Sequence, residues 1–532
     1  MALIVHNLAL GLDEPTDALA PLAAKKMRID SERIRSLRIA RKSLDARPNR
    51  MRWVYSVIVE VDAHPQRILR RTRGSYVQLH TRPAAPKVHP GTEQAAGPPV
   101  VVGTGPAGLF GALLLAQAGY RPLVLDRGRD VDRRDADVTT YVTTRTLDPE
   151  SNFVFGEGGA GAYSYGKLYT RTRDPLAGWL LEQFVAFGAD PEVAVSGKPH
   201  IGSDRLPAVS RAIRRRIEAF GGTVRWEARV DDLDIVDGAV RAVCLADGER
   251  IAAGSVLLGI GHSARDTYAM LARRSVALSA KTFQMGLRIE HPQAMIDHAQ
   301  FGAHAGREDL GPGDYHLVAR GAAGAGDVYT FCMCPGGRVL PTNHQPGTLC
   351  TNGGSNRLRD SGWANAGIVM GVGPARFGDN PLEGLALQER VERACFEAAG
   401  GTYALAAQRA EAFCARRASI GDLDTSSLIG TAPVDFNGVL PGYLVEALQA
   451  GLRKMDATIA GFAGPDAVLL GPETRASGPV RIDRTRDTRT SPAATNLYPI
   501  GEGAGFAGGI ISAAVDGLRS AQAVISRYAM TF

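Results

Sequence analysis

The chain has 532 residues, room for two or three domains and a large core. Apolar residues make up 45% and charged ones 22%, with 61 Lys and Arg against 55 Asp and Glu, a formal charge of +6. This reads as a soluble globular protein, because no run reaches the roughly 18 apolar residues of a membrane span and six cysteines make no disulfide framework in a chain this long.

The cytoplasm is the expected compartment, and the basic surplus, mostly arginine, reads as surface composition rather than a nucleic-acid footprint. Residues Met1 to Leu12 are apolar but carry no basic leader and run into Asp13 and Glu14, a poor signal peptide. Residues 1–90 read as a small α+β module, with a ferredoxin-like arrangement as one candidate. Within it Arg50–Asp62 alternates as a strand does, while Thr16–Lys26 and Asp30–Leu37 carry helical spacing. The basic stretch Arg67–Arg73 reads as a solvated face, and Pro83–Pro99, rich in Pro, Ala and Gly, as a linker.

From residue 97 the pattern changes. Val100-Val-Val-Gly-Thr-Gly-Pro-Ala-Gly108 is an apolar run entering a tight glycine turn, and Leu123-Val-Leu-Asp126 ends the next apolar run in an acid. This strand–turn–helix–strand holds the ADP half of a dinucleotide. Gly103 permits the turn, Gly105 lets the backbone reach a pyrophosphate, and Gly108 lets helix and strand pack. Pro106 suits the first helical position, and Ala107 continues a helix start whose N–H groups favour an anion. Asp126 can accept from a ribose hydroxyl and disfavours a 2′-phosphate, although Arg127 and Arg129 lie close by.

Leu206–Phe220 reads as a helix closed by Gly221-Gly222, its basic run Arg211–Arg216 solvated. Three strand candidates follow, Thr223–Val230, Leu233–Val236 and Ala239–Ala246, with Asp237-Gly238 and Asp247-Gly248 as turns, then a return strand Ser255–Gly259. Residues 281–475 read as a different, inserted domain with helices at Glu383–Ala399 and Gly442–Ala450. The chain returns with a strand at Leu497–Ile500, a glycine cluster at Gly501–Gly509 and a helix at Ile510–Ser526. The dinucleotide domain is therefore expected to be discontinuous, over 97–280 and 476–532. The fold class is α/β.

The second glycine cluster turns "dinucleotide" into "flavin". Leu125-Asp-Arg-Gly128 and Tyr498-Pro-Ile-Gly-Glu-Gly-Ala-Gly505 resemble strand ends of FAD proteins of the glutathione-reductase type. In those proteins an acid sits near the ribityl–pyrophosphate region and the next helix points at the flavin N1–C2=O edge; Glu502 stands where that acid would be. A reduced flavin carries negative charge near N1, which the N-terminus opened by Gly509 and Ile510 would stabilise. Phe155-Gly-Glu-Gly-Gly-Ala-Gly-Ala162 is a third glycine segment, in which Gly158, Gly159 and Ala160 can lie against the flavin or its phosphates. Gly259-Ile-Gly-His-Ser-Ala264, with Gly261 at its centre, is a fourth. No acid-ended βαβ unit follows it, so no dedicated NAD(P)H domain is visible.

These segments resemble a bacterial family of largely uncharacterised FAD-dependent dehydrogenases. Its marks stand here as Phe155–Gly161, His200-Ile-Gly-Ser-Asp204, Gly261-His-Ser-Ala-Arg-Asp-Thr267, Gly286-Leu-Arg-Ile-Glu-His-Pro292, Phe331-Cys-Met-Cys-Pro-Gly-Gly337 and Gly501–Gly505, reaching back to Arg41–Arg47. The resemblance implies a small N-terminal domain, a glutathione-reductase-type FAD-binding Rossmann domain with a β-meander, and a family-specific domain between its halves. It supplies no substrate. Gly354 stands where the family pattern has Met and Gly478 where it has Ser, which points to a substrate of its own.

A flavin carries the redox chemistry, and the protein binds, orients and tunes it. His200, His262, Lys167, Arg288, Glu290 and His291 are candidates because each sits in one of these motifs. His200 and His262 could take or give a proton, Arg288 could hold a carboxylate bidentately, and Lys167 is also counted with the cofactor-binding residues. Cys332-Met-Cys334 reads as small buried hydrophobes on one strand face, with a substrate-pocket wall or a redox pair as alternatives; no second Cys pair or His cluster supports a metal site. The expected function is an FAD-dependent oxidoreductase, a dehydrogenase or oxidase acting by two electrons on a small organic substrate. Its redox partner would be O2 or NAD(P)H. A flavin-dependent monooxygenase and a flavin-dependent RNA-modifying or RNA-binding protein are the alternatives, the latter prompted by the basic N-terminal module.

Overall fold

The computed structural model describes residues 2–530 except 48, 49, 73, 75, 171 and 325. Arg73, the last residue of the basic stretch, thus lies outside the described residues. The chain divides into two units, one of Met1–Ala85 with Lys167–His200, the other of Pro86–Gly166 with Ile201–Phe532.

The first unit runs β1 (Leu3–Leu10), α1 (Leu19–Met27), β2 (Ile34–Asp45), β3 (Arg52–Val61), α2 (Pro65–Arg71), β4 (Val77–Leu79). The sheet is antiparallel in the order β2-β3-β1-β4, the split βαβ arrangement in which both helices cross between non-adjacent strands. Alternate residues of β1 and β3, Leu3, Val5, Val57 and Val59 among them, are buried with Leu19, Ala23 and Met27 of α1. The helical spacing at Asp30–Leu37 gives way here. One 3-10 turn at Ser31–Arg33 enters β2, which pairs with β3 from Ile34 onward. Ladder hydrogen bonds outweigh a weak local periodicity. Lys42 N donates to Val195 O at 2.8 Å and Gly197 N to Lys42 O at 2.7 Å, so the later segment of this unit extends the β2 edge.

The second unit opens with β5 (Pro99–Val102), α3 (Pro106–Gln117), β6 (Leu123–Leu125) and α4 (Val131–Thr144). After α5 (Leu176–Ala186), which belongs to the first unit, it continues with α6 (Leu206–Ala219), β7 (Thr223–Arg225), β8 (Val230–Val236), β9 (Ala239–Leu245), β10 (Arg250–Ala252), β11 (Ser255–Leu258) and α7 (Arg265–Arg273). β5, β6, β7 and β11 join β23 (Leu497–Pro499) in a parallel sheet ordered β23-β11-β5-β6-β7. Parallel strands covered on both faces read as unbroken apolar runs, as Pro99-Val-Val-Val does. α3 is buried on all sides from Ala107 to Ala116, and α14 (Ile510–Arg527) crosses it. A Cβ on Gly517 would strike the Ala107 carbonyl, so the crossing depends on that glycine.

β8, β9 and β10 form the antiparallel meander, with Asp237 and Gly238 both at positive φ in the β8–β9 turn. The expected strand Thr223–Val230 is split. Its first residues are β7 of the parallel sheet. The chain then leaves at Glu227, whose φ is 55° and whose N–H donates to Gly128 O at 2.9 Å.

The intervening region builds a seven-stranded sheet around the largest core cluster. Its strands are β14 (Val318–Ala319), β15 (Val328–Cys334), β18 (Trp363–Val372), β13 (Phe283–Pro292), β21 (Val468–Glu473), β19 (Leu405–Arg409) and β20 (Thr431–Pro433), in that order, antiparallel except for the last pair. Helices α10 (Glu383–Ala398) and α13 (Gly442–Asp456) flank it, the second reaching past the expected end at Ala450. Two short ladders complete the unit, β16 (Arg338–Pro341) with β17 (Thr351–Gly354) and β12 (Leu278–Ala280) with β22 (Val480–Ile482).

Candidate functional site

The dinucleotide turn is held from several sides. Gly103, at φ 93°, donates to Leu125 O at 2.7 Å, and a Cβ there would strike the Gly259 carbonyl. A Cβ on Gly108 would strike Gly103 O, so helix α3 starts hard against the turn. At Gly105 the reverse holds, since a Cβ would meet no atom within 4 Å. The backbone there borders open space beside Pro106 and the first N–H groups of α3. Asp126 is buried and braces the turn. Its Oδ2 accepts from Thr104 N at 2.8 Å and Thr104 Oγ1 at 2.5 Å, and its Oδ1 from Gly128 N at 2.9 Å. A carboxylate offers about four lone-pair sites, so one remains for a ribose hydroxyl.

The other three glycine segments meet this turn. Gly158 N donates to Thr104 O at 3.0 Å, and a Cβ on Gly159 would lie 3.0 Å from Gly105 Cα. Gly161 lies between Pro106 and Ile510, 3.7 and 3.6 Å from where its Cβ would be, and Ala160 is exposed beside it. Buried Arg134 fixes this loop by donating to the carbonyls of Asn152, Gly156 and Glu157. A Cβ on Gly501 would lie 2.8 Å from Ala107 Cβ, and the Gly501 N–H is held by Asp516, which also pairs with Arg484 and Arg489. Gly509 precedes α14 and opens its N-terminus. Gly261 is in backbone contact with Gly503, and Tyr268 Oη ties both, donating to Gly503 O at 2.7 Å and Gly261 O at 3.3 Å. Burial raises the Glu502 carboxyl to about 7, with Lys281 opposing.

Arg127 is locked in place. It pairs with Glu150 at 2.6 Å and Asp266 at 2.8 Å, and its guanidinium lies 4.3 Å from the Phe155 ring centre. With Gly128, Arg129, Glu227 and Arg229 it lines a cleft of about 480 Å³ at the end of β6. Among the described residues a second cavity opens between the glycine loop and the intervening region, lined by Phe153, Ala160, Tyr163, His262, Asn352 and Arg475 among others.

Lys167 and His200 pair across one antiparallel bridge in the first unit. His262 lines the second cavity; burial, then Arg475 and Arg265, push it down to about 4. Its Nδ1 and Ser263 Oγ are 2.8 Å apart. Arg288 is fully buried and donates to Glu473 at 2.6 and 2.8 Å, Asn365 at 2.8 Å, Asn352 at 3.2 Å and the Cys332 carbonyl at 3.3 Å. These contacts occupy all five guanidinium N–H groups, so the expectation that Arg288 grips a substrate carboxylate does not fit its placement. Glu290 accepts from Ser426, and His291 pairs with Phe462 O; both are core groups. Cys332 and Cys334 do not alternate as on a regular strand. A bulge separates Phe331 from Cys334, Cys332 has a φ of 42°, and Cys334 Sγ points at the Cys332 carbonyl.

Sequence reasoning missed the charged cluster beside His262. Glu392 of α10 receives Arg475 at 2.6 and 2.9 Å, Arg265 at 3.0 and 3.1 Å, and Thr474 Oγ1 at 2.6 Å. Burial pushes the Glu392 carboxyl up, but Arg475 and then Arg265 outweigh it and bring it to about 2. Arg475 Nη1 also bonds His344 Nδ1. No local signal marks the cluster, because Arg265, His344, Glu392 and Arg475 come from four separate segments of the chain.

A βαβ glycine turn, an acid-ended second strand and a second glycine-opened helix on one parallel sheet define a dinucleotide-binding α/β protein. The space beside Gly105, the α3 and α14 N-termini and the remaining Asp126 lone pair fit FAD. Residues 282–476 match the family described as FAD-dependent protein, C-terminal domain-like, and residues 3–60 match a domain of unknown function, DUF8436. Over 532 residues, 99% of each chain, the sequence is 39% identical to an uncharacterized protein of Clostridium beijerinckii. The chain belongs to that protein's family, a family of FAD-dependent proteins, and its cofactor is FAD.

Solved structures match at lower similarity. NikD, an unusual amino acid oxidase essential for nikkomycin biosynthesis, is 14% identical over 82% of this chain and 94% of its own, at a TM-score of 0.35. E. coli quinol fumarate reductase FrdA is 12% identical over 82% and 70%, at 0.34. A thioredoxin reductase from Gloeobacter violaceus is 19% identical over 31% of this chain and 37% of its own, at 0.18, so the match spans little more than a third of that reductase. Likeness this distant carries no activity across. No helix among the described residues is long and apolar enough to cross a membrane.

Proposed function

We propose that the protein is an FAD-dependent oxidoreductase, a dehydrogenase or oxidase, with a discontinuous glutathione-reductase-type FAD domain over 97–280 and 476–532. The inserted domain, 281–475, supplies the substrate wall. The observation that carries this reading is the meeting of four glycine segments from opposite parts of the chain around open backbone at Gly105.

Bound FAD supplies two-electron redox chemistry. The protein's own groups have separate tasks. The α3 N-terminus faces the pyrophosphate, Asp126 the ribose, and the Arg127 cleft the adenine end. The positive end of α14 favours negative charge at the opposite end of the site. Glu502, raised to about 7, can hold a proton on its carboxyl at neutral pH. His262, near 4, is neutral there and serves as a hydrogen-bond partner rather than an acid. O2 or NAD(P)H completes the turnover.

The test is anaerobic mixing of the yellow protein with pooled metabolites, followed by admission of oxygen or NADP⁺. The expected result is loss of visible flavin absorbance with one small organic compound and its recovery with one acceptor. A protein that keeps its FAD, is bleached by no compound, and instead binds RNA with steep salt dependence would contradict this reading.

A further inference from the structure

The bulge in β15 is built around two sulfurs. On a regular strand, residues two apart have Cα atoms about 6.6 Å from each other, at the upper limit for a disulfide. Here the ladder with β18 breaks between Phe331 and Cys334, and Cys332 takes a φ of 42°. The Cys334 S–H is thereby offered two acceptors on Cys332, the carbonyl oxygen at 3.3 Å and the sulfur. Both residues are thiols, Cys332 half-buried and Cys334 buried. A left-handed conformation is costly for any residue but glycine, and two packing hydrophobes would gain nothing from it.

The surroundings fit these sulfurs. A Cβ on Gly353 would lie 2.5 Å from Arg288 Nη1 and 2.9 Å from Cys334 Sγ, so the missing side chain leaves room for a cation beside the buried sulfur. Arg288 also donates to the Cys332 carbonyl at 3.3 Å. The Cys334 thiol stays protonated, because its hydrogen bond to Cys332 and then burial push it well above its ordinary value. A thiol that donates to a second sulfur favours the thiolate there. The pair is therefore asymmetric, with Cys332 the reachable sulfur and Cys334 the donor behind it. Cys332 also lies within electrostatic reach of Glu502. Glu502 Oε1 is 3.8 Å from the place of a Gly508 Cβ, beside the loop that opens α14.

We propose that Cys332 and Cys334 are a dithiol–disulfide couple that exchanges two electrons with the bound flavin. In the oxidising direction two S–H bonds break, one S–S bond forms, and two electrons and two protons pass to oxidised FAD. Cys332 is the sulfur on the cofactor side, and Cys334 closes the bridge. The proposal rests on the flavin site described above, with its ring end at α14, and adds a redox centre within the protein itself.

The holoprotein is oxidised with glutathione disulfide, desalted and titrated anaerobically with dithionite. Wild type is expected to take up about four electrons per flavin, two for FAD and two for the disulfide, and Cys332→Ser or Cys334→Ser about two. Cys244→Ser, in the meander, should take up as many as wild type. Alkylation of the denatured protein, read by mass spectrometry, locates the bridge without any variant: Cys332 and Cys334 should be blocked before the titration and alkylated after it. A second comparison tests the link to the flavin. Reduced wild type exposed to oxygen in the presence of catalase should close the bridge at least about tenfold faster with FAD bound than after FAD is stripped. Uptake by wild type of no more electrons than the serine variants, alkylation of both thiols after oxidation, or equal closure with and without FAD would each overturn the proposal. A chain that takes up no FAD would overturn the flavin reading instead. Failure of that chain to close the bridge with glutathione disulfide would then overturn the pair as well.

Discussion

Arg288 and Glu473 form a pair with both side chains at 0–1% exposure. Breaking such a pair leaves a buried charge alone. Arg288→Met should cost about 3–5 kcal/mol in urea unfolding, and adding Glu473→Leu should recover much of it. A residue that served only to grip substrate would show neither effect. Glu392 gives a pH signature. Its carboxyl is held below its ordinary 4.5, at about 2, so its contribution is complete above 4.5 and is lost as pH falls toward 2. Glu392→Gln should therefore be less stable than wild type at pH 6, and the gap should narrow by a few kcal/mol at pH 3. Denaturation at both pH values measures it.

At the scale of elements, the crossing of α14 over α3 sets where both helix N-termini point. Gly517 leaves no room for a side chain against the Ala107 carbonyl. Gly517→Ala should cost about 1–3 kcal/mol in a thermal or chemical melt and weaken FAD binding as α3 is displaced. Elements with a local cause were legible in the sequence. The run Pro99–Val102, the glycine turn and Pro106 together define β5 and the start of α3. Asp30–Leu37 was not, because its strand state comes from pairing with β3, to which no local spacing testifies. Thr223–Val230 likewise hid its break, since a left-handed residue at Glu227 carries no sequence mark.

For the whole molecule, the cofactor end was legible and the buried charged cluster beside His262 was not. Phosphate-binding glycines act through backbone close to one another in sequence, so their spacing survives as a motif. The charged cluster joins Arg265, His344, Glu392 and Arg475 from four separate segments, and each residue alone looks like an ordinary helix or loop charge. Arg288 shows the opposite error, since a motif residue turned out saturated by partners 44 to 185 positions away.

The most direct measurement is FAD titration into stripped wild-type protein and into Gly105→Ala, followed by fluorescence. A methyl at Gly105 meets nothing in the fold and intrudes only on the space assigned to the pyrophosphate. Wild type should take up one FAD per chain. The variant should unfold at the same denaturant concentration while binding FAD weaker by on the order of tenfold or more. A wild-type chain that takes up no FAD, or a variant that binds it undiminished, would contradict the site.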